Sequence, residues 1–176
     1  MTREPFTSML KGGHPNSLGR TIDVVELILA DETLLEELYQ CYFDDDEIVR
    51  LRVSNAFKRI WRENPTWVVP YIDRFIADIS RIEQASTQWT IAQLFAELDA
   101  YMSADQRERA IAILKRNLQA WEDWIVLNNT MQALGQWAKH DKTLATWLIP
   151  ILEQRAQDSR KSVAKTARKV IAQLTP

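Results

Sequence analysis

Glycine and proline are scarce in this 176-residue chain, with four and six copies, and half of these ten residues lie before residue 20. The rest of the chain therefore has few turn signals and few residues that break helices. No apolar run approaches the roughly eighteen residues that a membrane-spanning helix needs, and the N-terminal residues lack the apolar run of a signal peptide. We therefore expect a soluble, cytoplasmic protein that has no membrane partner.

Residues for metal, redox and covalent chemistry are also few. Cys41 is the only cysteine, which excludes an intramolecular disulfide. The only histidines, His14 and His140, have no Cys, His or acidic partner at metal-ligand spacing. The sequence contains neither a glycine-rich phosphate loop nor a nucleophile elbow. We therefore expect no metal, no cofactor and no catalytic residues, and we interpret the protein as non-catalytic.

What the sequence does contain is a helical repeat. Mainly apolar positions spaced by four, three and four residues share one face of a helix, and such sets begin at residues 49, 87, 126 and 163. The four sets are Val49, Val53, Ala56 and Ile60; Thr87, Ile91, Leu94 and Leu98; Val126, Thr130, Ala133 and Trp137; and Val163, Ala167, Val170 and Leu174. Their starts are 38, 39 and 37 residues apart. A repeat of this length predicts helix pairs that stack as an α-solenoid.

The second helices of the predicted pairs have recognisable starts. Pro65 follows the potential N-cap Asn64, Ser103 begins a capping box, and Asp141 precedes the next apolar segment. Pro70 lies inside one second helix and Pro150, in a similar context, inside another; each should bend its helix because it removes a backbone hydrogen bond.

The acidic cluster Asp44–Asp46 has two interpretations. A calcium loop needs alternating oxygen ligands, a glycine and a distal glutamate, whereas these three acids are consecutive and lead directly into an apolar helix. Acidic side chains are stabilised at a helix N-terminus by its dipole and its free N–H groups. We therefore interpret the cluster as a helix start.

The stretch Asp45-Asp46-Glu47-Ile48-Val49-Arg50, followed by Ala56, Ile60 and Asn64-Pro65, resembles a HEAT repeat. The chain from residue 17 onward is similar to small bacterial HEAT-like proteins. In the later units, the position of Arg50 is occupied by Gln88, Leu127 and Ala164. With the period, the resemblance implies an all-α, right-handed α-α superhelix of about four to five helix pairs. We expect residues 1–15 to be a flexible N-terminal tail and residues 16–176 to be a single HEAT-like domain.

A solenoid presents an extended surface lined by its second helices, so we expect a scaffold or adaptor that binds another protein there. The candidate contacts lie off the apolar faces or beside a turn between repeats. They are Tyr71, Arg74, Arg109, Arg116, Trp121, Trp124 and Gln154. For the two tryptophans, packing between helices is the alternative interpretation.

Charge is unevenly distributed, which makes the ends of the repeat a second candidate surface. Residues 21–48 contain ten acidic and no basic residues, whereas residues 155–169 contain six basic residues and one acid. The alternative is that both ends are only solvated, as terminal repeats require. Exposed charge pairs contribute little and are screened by salt, so we expect a monomer.

Nucleic acid binding is the rival hypothesis, because some HEAT-like solenoids act on alkylated DNA held in a basic groove. The tryptophans and the basic residues Arg107, Arg109, Lys115 and Arg116 fit it loosely. The net charge of −2 and the pI of about 5.8 argue against it. We therefore expect no more than weak, non-specific duplex binding.

Overall fold

A computed structural model of the protein describes residues 3–175, in which helices joined by short turns are present and strands are absent. The α-helices, in chain order, are α1 (Phe6–Leu10), α2 (Thr21–Ala30), α3 (Leu35–Gln40), α4 (Glu47–Glu63), α5 (Pro65–Val68), α6 (Ile72–Ala77), α7 (Ala85–Glu97), α8 (Ala104–Ala120), α9 (Trp124–Ala138), α10 (Lys142–Arg155) and α11 (Lys161–Leu174). Short 3₁₀ turns are found at Glu32–Leu34, Cys41–Phe43, Val69–Tyr71, Ile79–Arg81 and Asp99–Tyr101. The all-α prediction is confirmed for the described residues.

The chain divides into two compact units, one that ends at Thr90 and one that begins at Ile91. The division falls within α7, so the first turns of that helix belong to the first unit and the rest to the second. In the first unit, α4 packs against α1, α2 and α5. In the second unit, α9 packs against α8, α10 and α11.

The predicted repeat is confirmed by the positions of the helices. The helices α4, α7, α9 and α11 begin at residues 47, 85, 124 and 161, which are 38, 39 and 37 residues apart. Every member of the four predicted faces is buried except Leu174, which is half-buried. Burial of these faces supplies the main driving force for packing, because apolar surface leaves water.

The predicted helix starts are confirmed by hydrogen bonds. The Asp46 carboxylate accepts from the Ile48 N–H at 2.8 Å, and Asp44 accepts from the Asp46 N–H at 2.9 Å. The cluster 44–46 is thus the start of α4. Ser103 forms the expected capping box with Gln106, and Asp141 accepts from the Leu144 N–H at 3.0 Å.

The three prolines of the predicted second helices occupy different positions in the structure. Pro65 begins α5 as predicted. Pro70 lies in the 3₁₀ turn Val69–Tyr71, so the expected second helix is interrupted and becomes α5 and α6. Pro150 lies inside α10, which continues on both sides. A proline lacks the N–H that continues the ladder, and at Pro70 the backbone tightens into a 3₁₀ turn instead.

The position Arg50 and its equivalent in the next repeat, Gln88, make the same kind of bond. Arg50 Nη1 donates to the carbonyl of Asp44 at 2.6 Å, and Gln88 Nε2 donates to the carbonyl of Ile82 at 2.7 Å. Both acceptors lie six residues earlier, in the turn before the helix. The equivalent residues Leu127 and Ala164 are buried apolar side chains. In the second unit, this position therefore contributes apolar packing in place of a hydrogen bond to the preceding turn.

The N-terminal segment differs from the flexible tail that was expected. Residues 6–10 form α1, and Phe6 and Leu10 are fully buried in the first unit. The tail was predicted because this segment has no apolar periodicity, but a helix of five residues is too short to show such a pattern. Residues 1 and 2 of the expected tail lie outside the described residues.

The buried side chain of Arg52 on α4 holds this segment in place. Arg52 as a whole is only 1% exposed. It donates to the carbonyls of Leu10 at 2.7 Å, Gly12 at 2.6 Å and Ser17 at 3.2 Å, with a longer contact to that of His14 at 3.4 Å. A buried charge is costly unless it is hydrogen-bonded. The loop that follows α1 therefore serves as the solvation shell of this cation.

Three of the four glycines lie in this loop and make its path around Arg52 possible. Gly12, Gly13 and Gly19 have φ values of 76°, 78° and 53°, which L-residues rarely adopt. A Cβ atom at Gly19 would lie 2.8 Å from Arg52 Cζ. Glycine at this position therefore satisfies both the backbone conformation and the close approach of the guanidinium.

Replacement of Arg52 by methionine should destabilise the protein by about 2–4 kcal/mol, because several buried carbonyls lose their donor. Urea unfolding would measure this loss. Limited trypsin digestion should also show faster cleavage after Lys11, because the loop is no longer anchored. Arg59 is exposed on the same helix, and Arg59→Met is the matched control, with an expected change within about 0.5 kcal/mol. Equal effects of the two substitutions would contradict the assigned role of Arg52.

The fourth glycine, Gly135 on α9, should also be intolerant of substitution. A Cβ atom added there would overlap the Cγ1 methyl of Val170 on α11. Alanine is intrinsically better in a helix by about 1 kcal/mol, yet overpacking against the stiff valine costs about 1–3 kcal/mol. Gly135→Ala should therefore be neutral to destabilising by about 2 kcal/mol in urea unfolding. In the background of Val170→Ala the same change should become stabilising, and the absence of this coupling would show that the helices do not approach so closely.

Candidate functional site

Two of the predicted partner contacts, Tyr71 and Arg74, bind other side chains of the first unit. Arg74 makes a two-pronged ion pair with Glu36, with Nη1–Oε2 and Nη2–Oε1 distances of 2.6 and 2.9 Å. Its guanidinium lies 3.8 Å from the ring centre of Tyr39 and 5.1 Å from that of Tyr71. The Tyr71 hydroxyl donates to the same Glu36 carboxylate at 3.2 Å. This cluster ties α3 to α6 and to the 3₁₀ turn before it.

The Arg74–Glu36 pair also shapes the electrostatics of the cluster. The hydrogen bonds from Arg74 lower the pKa of Glu36 to about 2. Burial raises the pKa of both Tyr39 and Tyr71 to about 12. The acid is therefore ionised and both phenols are neutral at physiological pH.

The candidates on α8 and α10 belong to the second unit, whereas Tyr71 and Arg74 belong to the first. Arg109 pairs with Asp105 at 2.8 Å. Arg116 donates from Nη2 to the Asn117 side chain at 3.0 Å. Gln154 is exposed on α10. The two arginines are thus engaged within α8, which reduces what they offer to a partner.

The two tryptophan candidates differ in exposure. Trp124, the first residue of α9, is 50% exposed, whereas Trp121, just after α8, is half-buried. Part of the Trp121 side chain is therefore buried by packing, whereas half of Trp124 is accessible to solvent. Asp123 between them accepts from the N–H groups of Ile125 and Val126 at 2.9 and 3.0 Å, which fixes the start of α9.

The basic segment 155–169 is partly neutralised by an ion-pair network. Arg155 binds Glu122 at 3.0 Å, and Arg160 binds Glu122 at 3.2 Å and Asp158 at 2.8 Å. The pKa values of Glu122 and Asp158 are lowered, chiefly by hydrogen bonds from Arg155 and Arg160 respectively. The positive charge that remains for other contacts comes from α11, mainly from Lys161, Lys165 and Lys169.

Two adjoining cavities lie along α9 in the second unit, and we name them together the α9 groove. The larger has a volume of about 580 Å³ and the smaller about 170 Å³. Gln136 and Lys139 line both cavities. The remaining lining residues are Asp99, Arg107, Ile111, Trp137, His140 and Asp141 in the larger cavity, and Gln132, Lys169, Val170 and Gln173 in the smaller.

The charges of the α9 groove are not all equally available. Asp99 Oδ1 accepts from Arg107 Nε at 2.6 Å and from Trp137 Nε1 at 2.9 Å, so this acid is already neutralised. Lys139 and Lys169 are exposed, and neither makes an ion pair with any residue between 3 and 175. Since Asp141 is the only other acid of the lining among residues 3–175, the groove carries more basic than acidic side chains there.

The sequence interpretation did not identify the α9 groove. A signal was present, because Gln132, Gln136 and Lys139 follow the spacing of one helix face. That face is polar and exposed, opposite the buried apolar face of the same helix. The contribution of Lys169 and Gln173 depends on how α11 packs on α9, which a single-helix pattern does not contain.

Residues 3–175 lack a metal-ligand cluster and a membrane-spanning helix. Within that range, His, Cys, Asp and Glu side chains form no group of three or more that could hold a metal ion. The same range contains no helix that is long and apolar enough to cross a membrane. Cys41 is buried, and burial raises the pKa of its thiol to about 12, so it lacks the thiolate character of a nucleophile.

Comparisons with known proteins identify the fold. No protein-family model matches the sequence, and no curated protein matches it. The structure is similar to a designed armadillo repeat protein, with a TM-score of 0.54 and 16% sequence identity, over 97% of this chain and 81% of that one. The chain thus has a helical-repeat fold of the α-solenoid class. The more specific likeness to HEAT repeats stays a prediction.

The Glu36–Arg74 pair should give the stability a specific dependence on pH. The pKa of Glu36 falls from 4.5 to about 2 on folding, so its stabilisation is complete above pH 4.5 and is lost as the pH decreases towards 2. Glu36→Gln should therefore lower the free energy of unfolding at pH 7, by at most about 1 kcal/mol because the pair is partly exposed. The difference from the wild type should shrink in urea unfolding at successively lower pH values.

Glu26→Gln is the control for this pH dependence. Glu26 is exposed on α2 and makes no ion pair with any described residue. Its replacement should change the free energy of unfolding only slightly from that of the wild type, because it removes no ion pair with a described residue. A Glu36→Gln difference that stays constant between pH 7 and 3 would contradict the assigned pKa shift.

Proposed function

We propose that this protein is a non-catalytic helical-repeat scaffold that binds a protein partner, and that the α9 groove is the binding surface. The proposal rests on one observation. Two adjoining cavities are lined by the exposed lysines Lys139 and Lys169, which have no carboxylate partner within residues 3–175. Elsewhere in the second unit, Arg109, Arg155 and Arg160 are held by acids of the same chain. Among the basic residues of the second unit, Lys139 and Lys169 at the cavities are therefore available to bind a partner.

The backbone under the α9 groove is well suited to a binding surface. α9 is capped by Asp123, packs against three other helices and contacts α11 closely at Gly135. Its exposed side chains therefore project from a fixed helix. A preorganised surface loses less conformational entropy on association than a mobile loop would.

The same contacts weaken the nucleic acid hypothesis. Of the four basic residues that suggested it, Arg107 binds Asp99, Arg109 binds Asp105 and Arg116 binds Asn117. Lys115 lies over the ring of Trp147, 4.6 Å from its centre. A duplex requires many cations that are free to displace counterions from phosphates, and this set is largely engaged.

We further propose that the repeats are HEAT-like and that the protein acts as a monomer in the cytoplasm. The Val49-Arg50 pair and the Asn64-Pro65 start of α5 support the first point. The exposed residues of α11 are mainly polar, and a surface of this kind gives only weak, salt-sensitive self-association. The free, buried Cys41 is compatible with a reducing compartment.

Site-specific photo-crosslinking in the native cell tests the proposed function. A photoreactive amino acid in place of Gln132, in the groove, should give protein adducts of defined mass. The same residue in place of Gln119, which is exposed on α8 and lines neither cavity, should not give them. The charge reversal Lys139→Glu with Lys169→Glu should abolish the adducts at position 132.

The control for charge is the double variant Lys142→Glu with Lys161→Glu. Both lysines are exposed at the first residue of a helix, where glutamate is favourable, and both lie outside the groove lining. This variant changes the net charge by the same amount and should keep the adducts. Identical adducts at positions 119 and 132, or loss of adducts in both double variants, would contradict a groove-specific partner.

A further inference from the structure

We infer that the segment bound in the α9 groove is an extended acidic peptide, in which carboxylates contact Lys139 and Lys169 and the peptide backbone contacts the groove glutamines. This inference rests on the proposed function and specifies the partner chemistry for the same surface. It follows from three properties of the groove, which are its charge, its amide content and its length.

The charge of the groove selects an anionic ligand. Lys139 and Lys169 both line the smaller cavity, and no acidic residue of the described range 3–175 lines it. In the larger cavity Arg107 neutralises Asp99, to which it is bound at 2.6 Å, and the other basic and acidic residues of the described lining are Lys139 and Asp141. A carboxylate placed in the smaller cavity would therefore meet two cations and no like charge from its lining. Such complementarity contributes mainly to specificity and to the rate of association.

The amide side chains of the groove match a peptide backbone. Gln132, Gln136 and Gln173 each carry donors and an acceptor, as a peptide group does. Gln136 Nε2 donates to the carbonyl of Ala96 at 3.3 Å, which holds this side chain against α7 and leaves its oxygen as an acceptor for a ligand N–H. A simple anion would use the lysines alone, whereas an extended peptide also uses the amides.

The groove has the length of a short extended segment. Gln132 and Lys139 are separated by about 10 Å along α9, given a rise of about 1.5 Å per residue. An extended peptide covers that distance with about three residues, and alternate side chains point to the same side. The larger cavity adds room at the Lys139 end. A peptide with an acid at every second residue can therefore place one carboxylate near each lysine.

A single nucleic acid strand fits the groove less well than a peptide. Sequence-tolerant binding of single strands depends on aromatic side chains on which bases stack. The lining contains two aromatic side chains, Trp137 and His140; Trp137 is only 6% exposed, and its N–H is bound to Asp99. The Trp137 ring is thus part of the core, and the imidazole of His140 is the only exposed aromatic ring among the described lining residues, whereas strand binding uses successive stacking side chains.

Fluorescence anisotropy with labelled peptides tests the inference on the full-length protein. The probe is a peptide of about eight residues in which Glu and Ser alternate, long enough to span the groove. Matched peptides carry Gln or Lys in place of Glu, and a labelled oligothymidylate serves as the nucleic acid probe. Titrations at low salt and at about 150 mM salt separate screened from unscreened contacts.

The Glu peptide should bind at least about tenfold more tightly than the Gln peptide at low salt, a difference of about 1.4 kcal/mol. Lys139→Glu with Lys169→Glu should remove that preference, whereas Lys142→Glu with Lys161→Glu should retain it. Lys139→Gln with Lys169→Gln is a milder second test, and thermal unfolding by circular dichroism verifies that each variant is folded. Gln132→Ala with Gln173→Ala should weaken the Glu and Gln peptides by the same factor, because amide contacts do not depend on ligand charge.

Equal binding of the Glu and Gln peptides would overturn the inference of an acidic ligand. If the adducts at position 132 persisted in that case, the proposed function would stand with a partner of different chemistry. Tighter binding of the oligothymidylate than of the Glu peptide would overturn the inference in favour of nucleic acid. If the adducts at position 132 were absent while the Glu peptide bound through the two lysines, the peptide chemistry would hold and the proposed cellular partner would not.

Discussion

The first unit depends on one buried cation, the guanidinium of Arg52. Its donors reach four backbone carbonyls of the loop that follows α1, and no carboxylate of residues 3–175 is bonded to it. Because burial of an unsatisfied charge is so costly, the loop has to keep one conformation. That requirement explains why glycines are concentrated at positions 12, 13 and 19 in a chain that otherwise avoids them. It also places α1 against α4, where Phe6 and Leu10 complete the core.

In the second unit, intramolecular pairing decides which charges can act outside the protein. Counting basic residues in the sequence would point to α8 and to residues 155–160. In the structure most of those arginines neutralise acids of the same chain, and they stabilise turns and helices. Lys139 and Lys169 are exceptions, since no acid lies three or four residues from either of them along the chain. Which residues bind each other, rather than composition, therefore defines the α9 groove.

The sequence predicted those parts of the structure that depend on short-range order. The four helix faces, the Asp46 and Asp141 caps and the Ser103 capping box all follow from spacings within one turn or two. It did not predict α1 or the interruption at Pro70. The pairing of Arg74 with Glu36 and of Arg160 with Glu122 joins residues 38 positions apart. Such pairs form where successive repeats pack, and a local sequence pattern does not show them. The choice of available binding residues depended on knowing these pairs.

The single cysteine has a practical consequence for experiments on this chain. Cys41 is buried beside Tyr39 and Tyr42, its Sγ donates to the carbonyl of Glu37 at 3.2 Å, and burial raises its pKa to about 12. The thiolate is the form that attacks alkylating reagents, and it is almost absent at neutral pH in the folded state. Alkylation of the native thiol thus reports transient opening of the first unit, much as amide exchange reports local unfolding. A surface cysteine introduced elsewhere can be labelled selectively in the wild-type background, without prior removal of the native one.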